Sequence, residues 1–286
     1  MSDIRLSVFT VAAPDLSPAE LASAAKQAGI AGIEWRYQDI PAGREQEAPS
    51  FWGNNRCSIP TGWSEAQLAA FRDAAASGGV RSLAVVPYLK CGDIAGTRRV
   101  LEAAKQLGAS FIRLGVHRYD RSRPYRELFD EQRRYLQEAA SLCAEYGVKG
   151  LIELHHGTIS ASASAASRLL EGFDPAALGA LYDPGNLVHE GYENYRMGME
   201  ILGPYLAHVH MKNAGWTSTA DDAGGMRWQA GWVGIDKGVV DWAQVVADLR
   251  AVGYSGWIGV EDFSGEFGTV EMLNHYAAYM NRLLGN

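Results

Sequence analysis

The sequence predicts an α/β fold, a single (β/α)8 barrel of the TIM type over residues 1–286. Three observations carry that expectation. Short runs rich in Val, Ile and Leu alternate with longer stretches of helical character, as repeated β/α units around a parallel sheet require. Eight such pairs can be counted, at a spacing of roughly 30 residues wherever loops are not enlarged. The length of 286 residues also suits one barrel, which typically takes about 250.

The strands are read in order. The first is IRLSVFT from Ile4, and Ser17-Pro18-Ala19-Glu20 opens the following helix. A capping hydroxyl there precedes a proline at the first helical position, with an acid three residues after the cap. Ala28-Gly29 closes that helix before GIEWR from Gly32. VRSLAVVP from Val80 is the third strand, and Leu107-Gly108 closes a helix before SFIRLGV from Ser110. Tyr146-Gly147 repeats the stop before VKGLIEL from Val148, followed by LGALYD from Leu178 and LAHVHMK from Leu206. Val252-Gly253 then leads to the eighth strand, GWIGVED from Gly256. Glycine suits each stop because it takes the left-handed conformation that ends a helix.

Two segments break the rhythm, 38–63 and 213–240, which carry glycines and Trp52, Trp216, Trp228 and Trp232. Both follow strands, so they belong on the C-terminal face, where β/α loops build active sites. They are expected to be enlarged loops that cover a substrate, and the tryptophans, with Trp63, to stack on a sugar or pack a lid.

Composition narrows the function. With 47% hydrophobic and 21% charged residues the chain reads as a compact globular protein. A net charge of −7 supplies no positive field for a nucleic-acid backbone, so nucleic acid is not an expected partner. No run reaches the roughly 18 apolar residues of a membrane span. The start, MSDIRLSVFTVAAP, lacks the charged head and long apolar core of a secretory signal, so the expected location is the cytoplasm. Cys57, Cys91 and Cys143 are odd in number and lack CxxC spacing, against a disulfide framework or zinc knuckle.

Four residues near the ends of the last four strands carry the chemistry: Glu153 in LIELHHG, Asp183 in LYDPGN, His210 in HVHMKN and Glu261 in GVEDF. In a closed barrel these ends converge on one axis. Carboxylates with one imidazole suit a single hard or borderline divalent ion, Mn²⁺ first, with Mg²⁺, Co²⁺ or Zn²⁺ as alternatives. An inward carboxylate needs such compensation, because an isolated buried charge is costly.

From GIEWR to GWIGVEDF the chain resembles the xylose isomerase-like sugar phosphate isomerase and epimerase superfamily. The resemblance rests on Glu153-Leu154-His155-His156-Gly157-Thr158, Leu181-Tyr182-Asp183-Pro184-Gly185-Asn186 and His208-Val209-His210-Met211-Lys212-Asn213. Gly238-Val239-Val240-Asp241-Trp242 and Gly253-Tyr254-Ser255-Gly256-Trp257, leading to Glu261, complete it. It implies that Glu153, Asp183, His210 and Glu261 bind the metal. The pattern departs at Asn186, where the ketose epimerase branch commonly carries histidine, and at Lys212-Asn213, where a lysine-acid pair is usual.

The activity implied is a metal-dependent sugar isomerase or epimerase that abstracts a proton next to a carbonyl through an enediolate, with Glu153 and Glu261 as base and acid. Two alternatives stand. One is a metal-dependent dehydratase or lyase acting on a keto sugar, an inositol derivative or a dehydroshikimate-like acid; the other is a non-catalytic sugar-binding subunit. The expected partner is a sugar or polyol-derived small molecule, and self-association is implied by the resemblance alone. Substrate contacts are expected from His155, His156, Asn186, Lys212, Arg227, Glu34 and Arg36. All but Asn186 have a plainer reading: orientation of Glu153 for the histidines, a rim ion pair for Lys212, a solvated loop charge for Arg227, and a mutual salt link for Glu34 and Arg36. His208, two residues before His210, reads as structural support.

Overall fold

The computed structural model describes residues 3–285. Eleven strands occur in it: β1 (Arg5–Phe9), β2 (Gly32–Tyr37), β3 (Ser58–Ile59), β4 (Arg81–Pro87), β5 (Phe111–Arg113), β6 (Lys149–Glu153), β7 (Leu178–Tyr182), β8 (Leu206–Met211), β9 (Asn213–Ala220), β10 (Met226–Val233) and β11 (Trp257–Val260). Eight of them form the barrel, in the order β1-β11-β8-β7-β6-β5-β4-β2. The pairing of Ser7 with Gly32 closes the ring, and every barrel pairing is parallel. All eight expected strands are present; seven are shorter than expected, and β2 runs one residue further, to Tyr37. β1 stops at Phe9 before a 3-10 turn over Thr10–Ala12, β5 keeps only three residues, and β8 stops one residue before Lys212.

The helices are α1 (Pro18–Gln27), α2 (Glu65–Gly78), α3 (Ile94–Leu107), α4 (Tyr125–Tyr146), α5 (Ala163–Leu170), α6 (Pro184–His189), α7 (Tyr195–Leu202), α8 (Trp242–Ala251) and α9 (Thr269–Leu284). At the start of α1 the Glu20 amide donates to Ser17 Oγ at 3.4 Å, and the Ser17 amide donates to Glu20 Oε2 at 2.8 Å. That reciprocal pair satisfies two amides the helix would otherwise leave unpaired. Gly108 and Gly147 end α3 and α4 at φ 67° and 68°, where a side chain would meet its own carbonyl. No helix among the described residues is long and apolar enough to cross a membrane.

Outward strand faces pack on helices. Trp35 of β2 is fully buried and meets Phe71 of α2 edge-on at 5.2 Å, a geometry worth about 0.5–1.5 kcal/mol beyond its buried area. Its indole N–H donates to Ser82 Oγ at 2.9 Å, so no polar atom is stranded. Inward faces bring polar residues to the axis. Gly259 of β11 has to lack a side chain there, because a Cβ would sit 2.0 Å from Glu34 Oε1.

The segment 213–240, expected as a loop, holds an antiparallel hairpin of β9 and β10 instead. It leaves β8 immediately after Lys212, so the strand that carries His210 runs almost directly into it. The segment 38–63 contributes β3, which extends the edge of β2 through Arg36–Ser58 and Tyr37–Ile59.

Candidate active site

Strands β6, β7, β8 and β11 deliver Glu153, Asp183, His210 and Glu261 to one point. All four are buried, and one donor atom from each lies within 4.8 Å of the others. Alternation along β8 explains why both His208 and His210 face the axis while Val209 packs outward. Asp183 doubles as the N-cap of α6, its Oδ1 accepting from the Asn186 amide at 3.0 Å.

Glu34 lies beneath this cluster and is wholly buried. Its Oε2 is 2.8 Å from His210 Nε2, while its Oε1 accepts from Ser7 Oγ at 2.8 Å and lies 3.0 Å from His208 Nε2. An ionised carboxylate can only accept, so His210 carries a proton on Nε2. Burial works against ionisation of Glu34, yet the two histidines outweigh it and hold its carboxyl well below the usual range. Burial likewise opposes a charge on His210, but Glu34 and Glu261 push its pKa up to about 10.

The remaining ring nitrogen is the test of whether a metal fits. His210 Nδ1 is buried without a hydrogen-bond partner and faces Glu261 Oε2 at 3.7 Å. A carboxylate on one imidazole nitrogen with the other free toward three carboxylates is the arrangement of metal-ligating histidines, and binding would release the Nδ1 proton. The residues fit a divalent ion.

Two cations balance the acids. Arg113, at the end of β5, donates from Nη1 to Glu153 Oε2 at 2.6 Å, and its guanidinium also donates to the Pro87 carbonyl and lies over Tyr88 at 4.8 Å. Lys212 Nζ is 2.9 Å from Asp183 Oδ2 and contacts Glu261 Oε2. Burial opposes the charge on Glu153 and Glu261, but Arg113, His155, Lys212 and His210 together outweigh it at the first, and Lys212 with His210 at the second, so both carboxyls lie below the usual range. For Asp183 burial wins over Lys212, and its carboxyl lies above that range.

Above the cluster opens a cavity of about 740 Å³, well inside the roughly 300–1,000 Å³ typical of ligand sites. Among the described residues Glu153 and Glu261 are the only carboxylates lining it; Lys212, Arg113, His155, His156, Trp52 and Trp232 are among its other walls. His155 and His156 stack at 4.4 Å, and His156 stacks on His189 at 4.1 Å. Burial, then the neighbouring His155, lowers the His156 pKa to about 4, so its ring is neutral at physiological pH.

Four expected substrate contacts do not reach this cavity. Glu34 lies below the four-residue cluster with no exposed surface. Arg36 is buried and donates to Ser58 Oγ at 2.8 Å; it does not pair with Glu34. Asn186 is buried, donating to Asp183 Oδ2 at 2.7 Å and Glu153 Oε1 at 3.2 Å and presenting Oδ1 to His156 Nδ1 at 3.0 Å. Its amide holds the Asp183 and Glu153 carboxylates in place. Arg227 stands on the exposed back of the hairpin, 3.8 Å from Asp221, because it pairs with Thr219 on the face opposite to that of Trp232.

Arg113, Tyr88, His189 and Phe263 were not among the residues singled out from sequence. Arg113 had a signal: a lone cation inside the apolar strand SFIRLGV, near the end that faces the site.

A family described as "Xylose isomerase-like TIM barrel" matches residues 22–279. An inosose dehydratase of Geobacillus kaustophilus is 29% identical over 135 residues, 44% of this chain and 42% of that protein. One of Bacillus licheniformis is 32% identical over 133 residues, 44% of each. The matched stretch thus spans less than half the length of these relatives. The solved D-allulose 3-epimerase from Methylomonas sp. superposes with a TM-score of 0.73 over 99% of each chain at 14% identity, a likeness of fold.

Proposed function

Because the chain belongs to the xylose isomerase-like TIM barrel family, we propose that it is a divalent-metal-dependent enzyme that removes a proton next to the carbonyl of a keto sugar or keto polyol. One observation carries this reading: four donors converge within 4.8 Å, and two of the same carboxylates open into the cavity. Glu153, Asp183, His210 and Glu261 would hold the ion, Mn²⁺ first. When bound, it supplies a positive charge that polarises the carbonyl and stabilises the enediolate oxygen.

The chain's residues do the rest. Glu153 is fixed by Arg113 and Asn186, and Glu261 by Lys212, so each carboxylate is held ionised and aimed at the cavity. One of them accepts the proton from carbon. Lys212 and Arg113 keep that wall cationic as negative charge develops on substrate oxygen. Trp52, Trp232, Tyr88 and Phe263 exclude water around the reacting carbons.

Returning the proton to the opposite face gives an epimer, and returning it to the adjacent carbon gives an isomer. Expelling a β-hydroxyl as water gives a dehydratase. That second reading is favoured by the similarity to inosose dehydratases and by Lys212, a protonated group beside an ionised base. The test is incubation of the manganese-loaded protein in D₂O with a panel of ketoses and inososes. Deuterium at the carbon next to the carbonyl without a new conjugated absorbance supports the isomerase or epimerase. Appearance of the enone with loss of water supports the dehydratase. Neither, with sugar still bound, replaces both with a sugar-binding role.

A further inference from the structure

The hairpin has two unlike faces. In an antiparallel ribbon, directly opposed residues share a face and alternate ones change it. The pairings Trp232–Ala214, Ala230–Trp216, Trp228–Ser218 and Met226–Ala220 therefore lie on one face, and Gln229–Thr217 and Arg227–Thr219 on the other. The first is apolar and the second polar. Trp216, Trp228 and Met226 are 44%, 63% and 57% exposed, an arrangement a soluble ribbon normally avoids by covering the apolar side.

This face continues the cavity wall. Trp232, at its base, lines the cavity and lies 4.8 Å from Lys212 Nζ. Trp232 meets Phe263 at 6.0 Å, Phe263 meets Trp52 at 5.3 Å, and Trp52 meets Tyr88 at 6.0 Å, so aromatic rings run across the mouth. Beyond Trp232 the same face carries Trp216 and Trp228 as diagonal neighbours, with Ala230 opposite Trp216 and Ser218 opposite Trp228. A small side chain across from each exposed indole leaves a shallow shelf bordered by the two rings, suited to a flat ring with C–H bonds on its face and hydroxyls at its edge.

We propose that this shelf is an outer sugar subsite, and that the substrate is a glycoside whose keto ring reaches the carboxylate cluster while a second ring stacks on Trp216 and Trp228. The inference rests on the sugar reading of the cavity and names its substrate class more narrowly. A second copy of this chain is the competing occupant. The continuity of the shelf with the cavity through Trp232 favours a ligand that spans both.

The test needs no turnover. Glucose, cellobiose and maltose are titrated into the full-length protein and its Trp216→Ala and Trp228→Ala variants, read by calorimetry and by tryptophan fluorescence. The expected result is that one disaccharide binds roughly ten-fold more tightly than glucose. Both variants reduce that advantage to about two-fold or less while glucose affinity holds. Equal affinity for glucose and both disaccharides overturns the proposal. So does an advantage that survives both substitutions, or sedimentation showing a wild-type dimer that Trp228→Ala disperses. Absence of deuterium exchange would strike the catalytic reading and leave this binding result standing, so the two failures are distinguishable.

Discussion

Glu34→Gln isolates the support beneath the site. The substitution keeps the size of a wholly buried side chain but leaves one acceptor oxygen where there were two. Glu34 serves His210 at 2.8 Å, Ser7 at 2.8 Å and His208 at 3.0 Å. The amide NH₂ must therefore face one imidazole N–H or force that ring to change tautomer. Losing one charge-assisted bond costs about 2 kcal/mol, and at about 2–4 °C per kcal/mol the midpoint of thermal unfolding falls by roughly 4–8 °C. The second effect is on the metal: with the Nε2 proton no longer fixed, His210 Nδ1 loses orientation and basicity, and affinity falls about 10- to 100-fold. Thermal unfolding followed by circular dichroism reads the first effect, and competition for Mn²⁺ against a chelator reads the second. An unfolding midpoint within about 1 °C of wild type, together with metal affinity within about two-fold, would refute the idea that Glu34 orients His210.

His210→Ala and Glu261→Gln each remove a proposed ligand; elemental analysis after dialysis should find about one divalent ion per wild-type chain and clearly less in both variants. Arg113→Met takes away the foremost of the cations that together overcome burial at Glu153, so the carboxyl pKa rises and the acid limb of the pH–rate profile for proton exchange moves to higher pH; an unmoved limb would exclude Glu153 as the base. Lys212→Met leaves Asp183 and Glu261 without their shared cation, and breaking such a buried pair costs about 3–5 kcal/mol. Added Mn²⁺ should recover more of the lost unfolding temperature in this variant than it adds to wild type. His156, whose folded pKa is lowered to about 4 from an unfolded value near 6.5, contributes stability present above the unfolded value and lost as pH falls through the folded one. His156→Asn should therefore flatten the decline in unfolding temperature between those two pH values.

The barrel was legible because its signals are local. Eight apolar runs with glycine stops at Gly29, Gly108, Gly147 and Gly253 fix strand and helix order, and alternation in His208-Val209-His210 fixes which side chains face inward. Convergence of Glu153, Asp183, His210 and Glu261 followed from closure alone, since strand ends on one barrel face must meet. Depth along the axis was not legible. Glu34 reads as the active-face end of GIEWR, yet β2 runs on to Tyr37, and the stagger between strands sets Glu34 beside Phe9 and Ala84, one layer below the ligands. Stagger is a property of the closed sheet and leaves no mark on a single strand. The place of Arg227 was hidden for a related reason: the segment has polar and apolar residues enough for a loop, and only the register across the turn at Asp221–Gly225 decides which side chains share a face with Trp232. Once that register is known, the tryptophans that looked like interchangeable lid residues separate by position. Trp232 closes the wall of the reacting site, while Trp216 and Trp228 extend the same surface away from it. A sequence that kept this alternation but shifted one strand by a single residue would turn Trp228 to the polar side and Arg227 to the face of Trp232, changing the ligand the hairpin can meet while leaving Glu153, Asp183, His210 and Glu261 in place.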